Sequence, residues 1–114
     1  MVKISLLIEK WETELRRGAI QLLVCSVLSE RDMHGTEICD TILSKTNQLI
    51  EVPLGTVYPL LRRFINEGLV ETYKPTDDKR KTVYMLNASG SQYYFSMRDL
   101  WLKYSVAVNN VLHN

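Results

Sequence analysis

Cysteine, histidine, proline and glycine are all scarce in this chain. Its two cysteines, Cys25 and Cys39, form no CxxC pair, whereas a disulfide-stapled scaffold needs several bridges and an export signal. Its two histidines, His34 and His113, stand far apart with no ligand-type spacing around them, which argues against a structural metal site. Five glycines and three prolines are too few for a collagen-like fibre or a low-complexity linker. No apolar run approaches the roughly 18 residues that would span a bilayer, so no membrane partner is expected. The opening Met-Val-Lys-Ile-Ser-Leu-Leu-Ile-Glu has one Lys before an apolar stretch too short for a signal peptide, and the expected location is cytoplasmic.

Charge of one sign is also lacking: 14 basic residues meet 13 acidic ones, for a net charge of +1. Any nucleic-acid binding must therefore rest on a local patch rather than on the sum. Catalytic constellations are missing as well. There is no supported Ser-His-Asp or Cys-His arrangement, no glycine-rich phosphate loop and no HExxH. The acidic residues are scattered, with only Asp77 and Asp78 adjacent. The chain reads as a non-enzyme without a cofactor.

What remains is a chain of 114 residues, 46% apolar and 24% charged, enough for one compact domain. Over about residues 11–29, Leu15, Ala19, Leu22, Leu23 and Val27 recur at helical steps. Few strongly polar residues follow Leu15, so this helix is expected to be buried on more than one side. A second helix is expected over about residues 34–44, with Ile38, Ile42 and Leu43 as its stripe. His34 caps or packs at its start. Residues 49–52 form a short extended piece.

The third helix covers about residues 54–67, with Val57, Leu60, Leu61, Phe64 and Ile65 facing inward. Pro59 lies inside it and presses on the carbonyl of Gly55, which has no side chain and can yield. Gly68 is a left-handed cap. Two β-like segments follow, residues 69–73 and 82–86, joined by a polar stretch that reads as a hairpin with a charged tip.

Asn87 is a favourable N-cap for a final helix of about 25 residues, about 38 Å long. Its apolar residues Tyr94, Met97, Trp101, Tyr104, Val108 and Val111 step by three and four, an a/d seam. A small domain has no room to bury such a seam alone, and the simplest partner is the same helix of a second copy.

Helix, helix, helix, hairpin, helix is the order of a mainly α (α+β) winged helix-turn-helix with a long C-terminal dimerisation helix. Residues 1–86 would form the DNA-binding unit and residues 87–114 the dimerisation helix, in one compact body. In such a domain the third helix enters the major groove and the hairpin wing lies against the flanking backbone or minor groove. Thr56, Tyr58, Arg62, Arg63 and Asn66 lie off the apolar stripe of that helix. Lys79, Arg80 and Lys81 crowd the hairpin together with Lys74. From Arg62 to Lys81 there are six basic and four acidic residues. The excess is modest, so a dimer would gain affinity by doubling its contacts, with strong salt dependence.

The run from Leu15 to Ile38, LRRGAIQLLVCSVLSERDMHGTEI, and the run from Val52 to Glu71, VPLGTVYPLLRRFINEGLVE, resemble the PadR family of transcriptional regulators. Gly-Thr-Val-Tyr-Pro-Leu-Leu-Arg-Arg is the most specific part. The run from Arg80 to Gly90, RKTVYMLNASG, is similar to that family's wing strand and following helix start, where Thr often stands in place of Asn87. Two further departures are Thr36, where the family commonly has Tyr, and Pro53-Leu54 in place of a more usual Ser-Pro. The resemblance implies a homodimeric repressor that binds a pseudo-palindromic operator in double-stranded DNA. It also implies that Tyr58 and its polar neighbours, with the basic wing, contact that DNA. Some relatives of this layout bind flat aromatic compounds at a Trp of the last helix, which makes Trp101 the expected effector-binding residue as well as a seam anchor.

Blander readings stand beside these. Arg62 and Arg63 can be a solvated pair, and only one of them can face DNA directly because neighbours differ by about 100° around a helix. Arg16 and Arg17 read as structural or solvated, with a phosphate contact as the lesser reading. Tyr84 reads as packing in the wing, and Cys25 and Cys39 as small core residues. The competing function is a winged-helix protein–protein interaction module without DNA binding. That version calls for apolar groups where this chain has Thr56 and Tyr58.

Overall fold

A computed structural model describes residues 1–113; Asn114, the end of the expected dimerisation segment, lies outside the described residues. Four helices and one hairpin follow in the order expected: α1 Ile4–Glu30, α2 Gly35–Lys45, α3 Leu54–Asn66, β1 Val70–Tyr73, β2 Val83–Leu86 and α4 Ala88–Leu112. Among the described residues no helix is long and apolar enough to cross a membrane.

The core sits where α1, α2, α3 and the hairpin meet. Val24, Cys25 and Leu28 of α1 close on Ile38 and Ile42 of α2 and on Val57, Leu61 and Phe64 of α3. Val27, Met33, Val52, Leu60 and Val70 complete it. Burial pushes the Cys25 thiol up to about 12, against a smaller opposing effect of Arg63, so this cysteine behaves as a small apolar residue.

Two expectations for the helices need correction. The first helix starts at Ile4, not near Trp11, and only Val24, Cys25, Val27 and Leu28 are buried along it. A helix of 27 residues is about 40 Å long, more than the 31 and 26 Å minor extents of the molecule. Its first turns project past the core and leave Ile4, Leu7, Ile8, Trp11 and Leu15 exposed. In α3 the buried face is Val57, Leu60, Leu61 and Phe64, while Ile65 is exposed. Ile65 falls at the edge of a stripe that those four positions already fill.

Local signals act as expected elsewhere. Gly68 has φ +78°, and the amides of Gly68 and Leu69 donate to the carbonyls of Ile65 and Phe64 at 3.0 and 2.9 Å. These bonds close α3 and turn the chain into β1. β1 and β2 pair antiparallel with Val70 opposite Leu86 and Tyr73 opposite Val83. The Asn87 side chain accepts from the Gly90 amide at 2.9 Å, capping α4, and donates to the Gly68 carbonyl at 2.9 Å. One residue thus joins the end of α3, the wing base and the start of α4.

Candidate nucleic-acid interface

The exposed surface of α3 divides into two flanks. Val57, Leu60, Leu61 and Phe64 hold the opposite side in the core, so the exposed positions Gly55, Pro59, Arg62 and Asn66 form the outermost line at steps of four, three and four.

On one flank the start of α2, α3 and the wing enclose a cleft of about 420 Å³, lined by His34, Gly35, Thr36, Tyr58, Arg80, Lys81, Thr82 and Tyr84. The wing reaches this place because Tyr84 and Met33 exchange two backbone hydrogen bonds, 2.8 and 3.1 Å long. Tyr58 and Tyr84 stand with ring centroids 6.5 Å apart and planes inclined at 45°. Burial first, and then the neighbouring Tyr58, raise the pKa of Tyr84, while the Arg62 charge opposes the rise. Arg62 therefore acts electrostatically on the wing flank. Arg80 is nearly fully exposed, with its Nε 3.2 Å from Asp78 Oδ1, and Lys79 and Lys81 are exposed beside it.

The start of α2 is held by a small ionic cluster. The His34 amide donates to Glu37 Oε1 at 3.2 Å, and His34 Nε2 lies 3.1 Å from the same oxygen. Arg31 Nη1 donates to Glu37 Oε2 at 2.8 Å. Burial disfavours the Glu37 carboxylate, but the Arg31 hydrogen bond and the contacts from His34 outweigh it and hold its pKa below the ordinary value.

On the other flank α1 and α3 enclose a cleft of about 380 Å³, lined by Arg17, Ile20, Gln21, Thr56, Pro59, Leu60 and Arg63. Here Arg63 is engaged within the chain. Its Nη2 donates to Gln21 Oε1 at 2.7 Å, its Nε to Glu67 Oε1 at 3.3 Å, and its guanidinium lies 5.4 Å from the Phe64 ring centre.

The DNA-contact residues expected from sequence thus separate. Tyr58, Arg80 and Lys81 share the wing cleft, Arg62 lies toward it, and Lys79 sits at the wing tip. Thr56 and Arg63 face α1. Sequence reasoning missed His34, Gly35 and Thr36 as lining the wing cleft, Arg17 as lining the α1 cleft, and Gln21 as the partner of Arg63.

The seam residues of α4 also separate. Tyr94 and Met97 pack on the chain's own core, with the Tyr94 and Ser26 hydroxyls 3.2 Å apart. Trp101, Tyr104, Val108 and Val111 are exposed. Trp101 borders three hollows along α1. One of about 220 Å³ includes Leu15, Ala19 and Ile50, one of about 270 Å³ includes Gly18 and Leu22, and one of about 370 Å³ includes Leu15, Tyr104 and Val108.

Residues 24–95 match the Transcriptional regulator PadR-like family, well over half of the chain. The chain belongs to the PadR-like family. A transcriptional regulator from Clostridium thermocellum is similar at 28% identity, with 85% of this chain and 96% of that one covered and a TM-score of 0.79. A PadR family transcriptional regulator from Eggerthella lenta shares the fold at 23% identity, with 98% and 94% covered and a TM-score of 0.81. A PadR-like transcriptional regulator from Bacillus cereus does so at 21% identity, with 89% and 98% covered and a TM-score of 0.76. This PadR-like chain is a DNA-binding regulator and not an enzyme. Its winged helix, with a long C-terminal helix, is the fold expected from the element order.

Proposed function

We propose that this PadR-like protein is a cytoplasmic homodimeric repressor that reads a pseudo-palindromic operator and is released by a small planar aromatic effector. The observation that carries the DNA reading is the cleft in which Tyr58 of α3 meets Arg80 and Lys81 of the wing. It places a phenol hydroxyl and two cations beside the outer face of α3, where a phosphate strand would flank a helix in the major groove. Thr56, Arg62 and Arg63 extend the polar surface across both flanks, and Lys79 extends it to the wing tip.

Dimerisation is assigned to α4. Trp101, Tyr104, Val108 and Val111 expose apolar side chains at steps of three and four along α4, the kind of strip that marks an interaction surface. Tyr94 and Met97 continue the strip toward the core and fix α4 on its own domain. The exposed first turns of α1 offer a second apolar surface beside it. The effector is assigned to Trp101, whose indole borders the hollows between α1 and α4 and can stack on a flat ring.

Selection from randomised duplex DNA by the purified full chain tests the reading. Enrichment of a pseudo-palindrome with half-sites about 34 Å apart, or a multiple, supports a dimeric sequence reader. Salt-sensitive retention without enrichment contradicts sequence reading. No retention by a folded dimer favours the protein-interaction alternative.

A further inference from the structure

A side chain at position 55 would meet no steric obstacle within the chain. It sits in the first turn of α3 with an ordinary negative φ, since Gly68 is the one glycine with positive φ. A Cβ built on it would meet nothing within 4 Å, neither core side chain nor the Pro59 ring. Glycine in a helix is a weaker choice than alanine. Gly18 is open and exposed in the same way but lies in α1, off the outer face of α3, whereas at Gly35 and Gly90 a Cβ would come within 2.7 and 2.2 Å of neighbouring atoms.

Gly55 is also exposed, and it begins the outermost line of α3. Along that line Gly55 and Pro59 present no side chain that reaches outward, while Arg62 and Asn66, one turn and more further on, do. The leading half of the helix is bare and the trailing half is armed.

Resting on the DNA reading above, we infer that Gly55 is the point of closest approach between α3 and the duplex. Its missing side chain lets the first turn of α3 settle against the groove, which brings Tyr58 and Arg62 on one flank and Thr56 on the other within reach. Gly55 is thus a positioning residue for DNA. The alternative is internal: that glycine is needed so the backbone can yield under the Pro59 ring. The two differ in sign. A positioning role makes alanine better for the fold and worse for binding, whereas an internal role makes alanine worse for the fold.

The test compares the full wild-type chain with Gly55→Ala and Gly55→Leu, using thermal unfolding and titration of the duplex that wild type enriches. The expected result is a Tm raised by about 2–6 °C in Gly55→Ala. Affinity should fall about tenfold or more, the size of a single base contact, and further in Gly55→Leu. Wild-type affinity in both variants would overturn the inference while leaving the DNA reading intact. A lowered Tm in Gly55→Ala would overturn it in favour of the internal role. A wild-type chain that retains no duplex would overturn both readings together.

Discussion

A Cβ added to Gly35 would lie 2.7 Å from both Cε1 and the hydroxyl oxygen of Tyr58, so the tyrosine ring rests directly on the first residue of α2. This contact sets where the hydroxyl points in the cleft shared with Arg80 and Lys81. Gly35→Ala should force the ring to swing away. The displaced atoms are the far end of a side chain that is 37% exposed, so stability should fall by only about 1 kcal/mol. DNA affinity should fall about tenfold, the scale of a single base contact. Tyr58→Phe separates the two effects: it keeps the ring, should leave stability within about 0.5 kcal/mol, and should still weaken DNA binding. Denaturant unfolding beside DNA titration reads both quantities.

The contact between Gly35 and Tyr58 marks the limit of what sequence carries. The Gly68 cap, the Asn87 cap and the two β-like runs are local signals, and each stands within a residue of where spacing put it. The meeting of α2's start with α3 and the wing is not local. Gly35 reads only as a cheap early glycine, because nothing in its neighbourhood names a tyrosine 23 positions on. The opening of α1 is illegible for a different reason. Lys3 precedes it without a side-chain cap, and its first turns are not held by the core whose period betrays a helix.

The two arginines of α3 illustrate the same limit, and they should behave differently. Neighbours about 100° apart cannot share a face, but which one faces outward depends on where α1 and the wing lie. Arg62→Ala should leave stability nearly unchanged, lower DNA affinity and reduce the salt slope by about 0.9 for each phosphate that is no longer neutralised. Arg63→Ala removes the exposed bonds to Gln21 and Glu67 and should cost up to about 1 kcal/mol of stability, with a smaller effect on affinity. Binding titrations over a range of salt, paired with unfolding curves, check the contrast. Equal losses of affinity in both variants would contradict it.

The exposed half of α4 carries the next prediction. Replacing Trp101 and Tyr104 together by Ala removes two aromatic side chains from the strip and should yield monomer at micromolar concentration by sedimentation. Tyr94 and Met97 are packed on the chain's own core, so the domain should remain folded. A dimer that persists would place the interface elsewhere, with the exposed opening of α1 next in line.

The effector assignment can be read from the same indole. The chain has two Trp, at positions 11 and 101, so a Trp11→Phe background isolates Trp101. Planar aromatic compounds that stack on it should quench its emission and loosen DNA binding over the same concentration range, because a ligand that shifts an equilibrium does so through its differential affinity. A phenolic and polycyclic panel that leaves both signals unchanged would remove Trp101 from that role.

Acid should weaken the start of α2 through Glu37. Its carboxyl is held below the ordinary value: burial opposes the charge, but the Arg31 hydrogen bond and the His34 contacts prevail. A depressed carboxyl stabilises the fold fully above its unfolded-state pKa, near 4.3 for Glu, and the gain disappears as pH falls through the lower folded value. Glu37→Gln removes the negative charge that faces Arg31 and His34, and should cost about 0.5–1 kcal/mol at neutral pH. The gap between wild type and variant should hold steady above about pH 5 and close as the pH drops below about 4. Urea unfolding of both proteins from pH 7 to pH 3 measures the gap directly; a gap that widens on acidification would show that the cluster holds α2 through something other than the Glu37 charge.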